Sequence, residues 1–199
     1  MPHITVLDQS TINKIAAGEV IERPSSVVKE LLENAIDAQA TAVTVEIRDG
    51  GISYIRVTDN GCGIPKEEVP LAFLRHSTSK IKSVEDLFTV SSLGFRGEAL
   101  SSIASVAQVE LITKTSEQLS GTRYQIEGGV ERSYEEVGAP DGTTFLVRNL
   151  FYNTPARQKF LKTAQTEGSH VAALVEKIAM SHPDISIRFI QKIGRASCR

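Results

Sequence analysis

Cysteine is scarce in this chain: two residues, Cys62 and Cys198, among 199. They lie far apart and share no metal-ligand spacing, which argues against a disulfide framework and a zinc site and fits a reducing cytosol. No apolar run approaches the ~20 residues that a membrane span requires. The start, MPHITVLDQS, has no basic segment followed by an apolar one, so it does not read as a secretory signal. Neither sign of charge dominates. Lys and Arg number 22 and Asp and Glu 24, and the net charge of −2 announces no polyanion partner. Internal repeats and low-complexity tracts are lacking. So is the G-x-x-x-x-G-K-[ST] pattern, which removes a Walker-type lysine from the means of holding phosphate. His3, His76, His170 and His182 show no ligand spacing and read as structural or exposed.

What is present suits one substantial core, with 41% hydrophobic and 23% charged residues. Charge is uneven along the chain. Residues 1–150 carry 14 Lys/Arg against 21 Asp/Glu, and residues 151–199 carry 8 against 3. The late excess reads as a solvated helix face or a weak basic surface.

Helical spacing is predicted for Ser10–Glu19, with Ser10 as its cap, and for Pro24–Ala38, where Pro suits a helix start. Thr41–Ile47 and Ile52–Val57 read as strands joined at Asp49-Gly50-Gly51. Short helices are expected over Pro65–Arg75 and Ala99–Ala107. Between them lies a polar stretch too long for a passive connector. Strands are expected at Val109–Thr115, Thr122–Glu127, Ser133–Val137, Thr144–Arg148 and Ile185–Ile190. Helices are expected from Asn153-Thr154-Pro155 to Lys162 and over Thr166–Ser181. This order favours an α+β fold: a two-layer sandwich with helices on one face of a mixed, mostly antiparallel sheet. Ile193–Arg199 has neither period and reads as a non-native tail.

Four elements carry the chemistry. In Lys29–Ala38, helical geometry gathers Glu30, Asn34 and Asp37 within a narrow arc, opposite an apolar stripe of Val28, Leu31, Leu32, Ala35 and Ile36. Such a triple alone would describe a solvated face. Asp59-Asn60-Gly61-Cys62-Gly63-Ile64 follows a strand. Its carboxylate can accept from an exocyclic amine, and its glycines let a ligand approach the backbone. Alone, it is also a common turn. Gly94-Phe95-Arg96-Gly97-Glu98-Ala99-Leu100 runs into a helix whose first N–H groups have no internal partner, an arrangement suited to phosphate. Asp141-Gly142-Thr143-Thr144 is a turn leading into a strand.

In this order and spacing the four elements resemble the GHKL ATPases: gyrase, heat-shock chaperone, histidine kinase and MutL. Within that family IAAGEVIERPSSVVKELLENAIDA, DNGCGI, RHSTSKI, SLGFRGEALSSIASV and LFYNTPARQKFLK resemble the MutL type, and the likeness runs from Ile4 to about Ile190. The resemblance implies ATP and Mg²⁺ as cofactors and ATP hydrolysis as the activity, weak in a chain of this extent. Glu30 would be the base that activates water. Asn34 would hold Mg²⁺, with Asp37 and Ala38 beside the nucleotide. Asp59 would bind the adenine amine, with Gly61, Gly63 and Ile64 leaving room for the ligand and Thr143 supporting the adenine end. Thr78 and Lys80 would belong to a mobile lid, and Gly94, Phe95, Arg96, Gly97, Glu98, Ala99 and Leu100 would wrap the phosphates.

It further implies an ATP-binding domain over 1–153, the start of a transducer-like segment over 154–192, and residues 193–199 outside both. It implies ATP-dependent pairing of two copies, work with DNA and with mismatch-recognition and downstream repair proteins, no membrane, and a cytoplasmic location. Arg157, Lys159 and Lys162 are candidate contacts to DNA phosphates, the alternative being a solvated face. A nucleotide-binding scaffold without useful turnover is the second reading.

Overall fold

A carboxylate opens the first helix. In this computed structural model, which describes residues 6–77 and 97–192, Asp8 is extended and accepts a hydrogen bond from the Thr11 N–H at 2.9 Å. It therefore caps α1 (Gln9–Val20), where Ser10 was expected to; Ser10 already lies inside the helix. Pro24 begins α2 (Pro24–Asp37), whose Val27, Val28, Leu31, Leu32 and Ala35 are buried. Two strands follow, β1 (Ala42–Arg48) and β2 (Tyr54–Asp59), joined by a 3₁₀ turn over Asp49–Gly51.

The single helix expected over Pro65–Arg75 is two short pieces, a 3₁₀ turn at Lys66–Glu68 and α3 (Val69–Ala72). Pro70 explains the break, because it has no N–H to continue a helix and its ring excludes the carbonyl four residues back. Next come α4 (Ala99–Val106), β3 (Gln108–Lys114), β4 (Gly121–Glu127), β5 (Val130–Val137) and β6 (Gly142–Arg148). The helix expected to reach Lys162 is a single turn, α5 (Pro155–Gln158). Tight turns follow it, and the buried Glu167 carboxylate takes the Lys162 N–H at 2.9 Å. Thr163 then caps a new helix, α6 (Ala164–Ser181), and β7 (Ser186–Lys192) ends the described chain.

The seven strands form one sheet in the order β5-β4-β3-β6-β2-β1-β7. Every pairing is antiparallel except that of β1 with β7. This is the expected two-layer α+β sandwich, and β7 brings the segment after residue 153 into the same sheet as β1. On one face Val43, Val45, Ile47, Ile55, Val57, Leu111 and Val147 meet Leu31, Leu32, Ile103, Val106 and Val171 from the helices, all buried. Each such aliphatic contributes about 1.5–3 kcal/mol relative to exposure.

The other face is an ion-pair lattice. Buried Glu46 meets Arg56 at 2.7 Å and Lys192 at 2.8 Å, and buried Glu110 meets Arg123 at 2.6 Å and Arg148 at 2.8 Å. Among the described residues no helix is long and apolar enough to cross a membrane.

Candidate functional site

The loop after β2 is fastened on every side. Asp59 ends β2 opposite Thr143 of β6. Its carboxylate is 8% exposed and accepts from the Gly61 N–H at 2.8 Å. Burial pushes the Asp59 carboxyl above the usual carboxylate range, opposed by the N–H groups of Gly61 and Thr143. A carboxylate has more lone pairs than those two N–H groups occupy, so it can accept from a further donor. Gly61 has no room for a side chain, since a Cβ there would lie 2.7 Å from the Ala38 carbonyl oxygen. Gly63 sits at φ +72°, and a Cβ would overlap the Lys114 carbonyl. The Cys62 N–H donates to the Ala38 carbonyl at 3.0 Å, and the Ile64 N–H donates to Thr113 Oγ1 at 2.9 Å. Thus Ala38, Asp59, Gly61, Gly63, Ile64 and Thr143, far apart in sequence, meet in one corner.

Three further residues serve this corner. Thr113 is 1% exposed, and its hydroxyl lies 3.1 Å from that of Thr143. Its signal in the sequence is a hydroxyl in the inward register of Val109 and Leu111. Asn60 accepts the Thr41 and Ala42 N–H groups, both at 2.9 Å, tying the loop to the start of β1. Gly142 presses against the Asp59 backbone, where any Cβ would overlap the carbonyl oxygen.

α2 runs away from this corner. Ala38 closes it, donating its N–H to the Asn34 carbonyl at 3.0 Å. At 1.5 Å rise per residue, Asn34 stands about 6 Å and Glu30 about 12 Å along the axis from Ala38. Both are half-buried. Lys29 lies 3.4 Å from Glu30 but 3.0 Å from the buried Glu33, so the neighbouring carboxylate draws the ammonium aside. Asp37 is exposed and turns toward α6, lining a groove with Glu33, Ile36, Ile178, Ser181 and His182.

Gly97, Glu98, Ala99 and Leu100 are half-buried at the start of α4. Gly97 packs on the Ser77 backbone, and Glu98 lies 3.2 Å from His76. Thr78, Lys80, Gly94, Phe95 and Arg96 lie outside the described residues. Among the described residues no three His, Cys, Asp or Glu side chains gather as a metal cluster.

Arg157 corrects an expectation. Its guanidinium turns inward, donating to the carbonyls of Ile15 and Ile21 at 3.3 and 3.5 Å, and so is not spread on the surface for a DNA phosphate. Lys159 and Lys162 stay exposed.

Residues 21–141 match the family described as histidine kinase-, DNA gyrase B- and HSP90-like ATPase. The chain is 72% identical to the DNA mismatch repair protein MutL of Agathobacter rectalis over 96% of its own length, and 56% identical to that of Desulforamulus reducens over 93%. It spans 29% of each of those relatives. Among solved structures it resembles the Aquifex aeolicus MutL ATPase domain complexed with ADP, at TM-score 0.68 and 36% identity, over 90% of this chain and 63% of that one. It also resembles the N-terminal domain of a DNA repair protein, at TM-score 0.78 and 30% identity, over 92% and 53%. The chain thus belongs to the histidine kinase-, DNA gyrase B- and HSP90-like ATPase family, as an ATPase domain of the MutL type.

Proposed function

We propose that the corner at Asp59 holds the adenine of ATP, that Asn34 would help hold Mg²⁺ at the phosphates, and that Glu30 serves the attacking water. The observation that carries this is the fastened loop Asp59–Ile64, seated on Ala38 at the end of α2. From that seat the helix leads back through Asn34 to Glu30, repeating the order adenine, magnesium, γ-phosphate. The Asp59 carboxylate accepts from the adenine amine. Gly61 and Gly63 keep the ligand's approach clear, and Thr143, hydroxyl to hydroxyl with Thr113, steadies that end. Asp37 and Ala38 flank the nucleotide at the end of α2. The first amides of α4, after Gly97 and Glu98, serve the phosphates together with Ala99 and Leu100, and the family resemblance assigns Gly94, Phe95 and Arg96 to the same task and Thr78 and Lys80 to the lid.

Magnesium fits this donor set. A Mg²⁺ ion keeps several waters and is usually bound by few protein groups plus substrate phosphates, and Asn34 offers an amide oxygen on the same helix face as Glu30. Bound there, it would neutralise phosphate charge. Glu30 takes a proton from water as the water oxygen attacks the γ-phosphorus and ADP leaves. This is phosphoryl transfer governed by positioning.

In the longer protein we read this domain as a nucleotide-driven dimerisation switch. It couples mismatch recognition to downstream repair factors, works with DNA, and does so in the cytoplasm. Support comes from relatives named as DNA mismatch repair proteins.

The test is thermal unfolding and calorimetry with Mg²⁺–ADP, wild type beside Asp59→Asn. ADP stabilises the wild type by mass action. The variant, which loses a charge-assisted hydrogen bond of about 1.5–3 kcal/mol, binds roughly tenfold to a hundredfold more weakly. Equal binding by both proteins would move the adenine away from Asp59.

A further inference from the structure

The stretch LFYNTPARQKFLK supplies no group to the site described above, yet it is built into the parts that carry that site. We infer that Arg157 is a positioning residue for the phosphate end, acting through α1 on α4; this rests on the nucleotide reading just given.

Gly18 and Arg157 fit as seat and occupant. The guanidinium lies where a side chain at position 18 would stand, so that a Cβ there would fall inside it. Its two outer nitrogens reach the carbonyls of Ile15, within α1, and Ile21, just past its end. A planar fork spans two carbonyls that a single ammonium cannot hold together. The C-terminal part of α1 is thereby clamped to the turn at α5.

α1 in turn packs along α4. The far end of α4 is held by the same segment that supplies Arg157. The Phe151 N–H donates to the Val106 carbonyl at 2.8 Å, and Asn153 Nδ2 donates to the Ser105 carbonyl at 2.9 Å. Asn149 and Phe151 sit at φ +53° and +65°. For a bulky residue such as Phe that conformation persists only where the surroundings over-determine it. Complete burial of Phe151 and the two bonds to α4 do so.

One segment, Asn149–Arg157, therefore fixes α4 at its end directly and along its flank through α1. Eight residues make α4 a rod about 12 Å long. A shift at its flank or far end is carried to the amides at Ala99 and Leu100. The adenine corner, fastened by β2, β3 and β6, has no share in this linkage.

That difference provides the test: calorimetry of Mg²⁺–ADP and of adenosine against the wild type, Arg157→Ala, Arg157→Lys, Gly18→Ala and the double variant Gly18→Ala/Arg157→Ala. Arg157→Ala is expected to weaken ADP about tenfold, in line with the effect of small misplacements on positioned groups, and to leave adenosine unchanged. Arg157→Lys does not restore it. Gly18→Ala expels the guanidinium and gives the same loss, and the double variant is no worse than either single one. If Gly18→Ala alone fails to fold, the double variant still answers, because its alanine meets no guanidinium and is the better helix former. Equal losses for adenosine and ADP, additive losses at the two positions, or unchanged ADP affinity would overturn the inference. Failure of the nucleotide reading looks different: the wild type then gives no ADP signal at all.

Discussion

The proposed adenine corner and the proposed phosphate end are built by different means. At the corner, three strands and the end of α2 fasten the loop. Asp59 is 8% exposed and Thr113 1%, and glycines stand where any side chain would meet backbone. At the phosphate end the groups ride on helices. The Glu30 side chain is 18% exposed, Asn34 is half-buried, and α4 is held from its flank and its far end. Sheet register leaves the corner little freedom, because a slip of one residue would reverse every side chain of the strand. Helices on a sheet can shift by small amounts without losing their pairing. On the proposed reading, recognition is lodged where sheet register fixes the chain, and chemistry on helices packed against the sheet. On that reading a Cβ forced against backbone at the corner should strike folding and binding together, whereas loss of Glu30 at the phosphate end should strike rate.

The largest expected effect tests the second half of that contrast. If Glu30 is the proposed water-activating base, Glu30→Ala lowers single-turnover hydrolysis by about 10²–10⁴-fold, the usual range for a positioned general base. Calorimetry should show ADP affinity unchanged, since Glu30 lies at the far end of α2 from the adenine. A variant that hydrolyses ATP at the wild-type rate would make the chain a nucleotide-binding scaffold without that base.

Gly63→Ala tests the first half. The left-handed backbone and the overlap with the Lys114 carbonyl together cost about 1–3 kcal/mol. For a chain of this size that lowers Tm by roughly 2–12 °C. ADP binding should fall in step, because the strained loop is the one that carries Asp59. A wild-type Tm in scanning calorimetry would mean that the loop yields easily, and the contrast between the two ends would lose its basis.

Sequence and structure agree where the signals are local or chemical. The alternation of Val43, Val45 and Ile47 marked a one-sided strand, and the apolar stripe of α2 marked the face that meets it. Other features depend on contacts that no local pattern carries. Asp8 and Ser10 are both good caps, and only the start of the helix decides between them. The turn after Pro155 looked like a longer helix, because nothing near Lys162 indicates that Glu167 will take its N–H. The parallel pairing of β7 with β1 joins segments about 140 residues apart, and the strand pattern of β7 is the same for either neighbour. Within the candidate site, DNGCGI stands out by its glycines, whereas Thr113 does not, since its one signal, a hydroxyl in the inward register of VELIT, is ordinary strand composition. Arg157 was misread for a physical reason. In sequence a basic helix faces solvent, and only the packing reveals Gly18 as its seat.

The smallest effects come from acidity, and they separate the corner from the open face of the sheet by sign. The Asp59 carboxyl is raised above its ordinary value by burial. In the free protein an ionised Asp59 therefore reduces stability as pH rises through the ordinary carboxylate range. Glu110 is the reverse: although its burial acts to raise it, hydrogen bonds from Arg148 and Arg123 hold its carboxyl below the ordinary value. Its contribution is present above about pH 4.5 and is lost as pH falls toward the lowered folded value. Without nucleotide, at neutral pH, Asp59→Asn should raise Tm by a few degrees, whereas Glu110→Gln should lower it. The second change stays near 1 kcal/mol, because Arg123 and Arg148 are partly exposed and solvent screens them. As pH falls toward the lowered folded value the Glu110→Gln deficit should close, and ADP affinity at neutral pH should be untouched by it. A shared sign for the two substitutions would place both carboxylates in the same structural role. Opposite signs mean that the Gly61 and Thr143 N–H groups do not fully offset the burial of Asp59, whereas the two arginines more than offset that of Glu110.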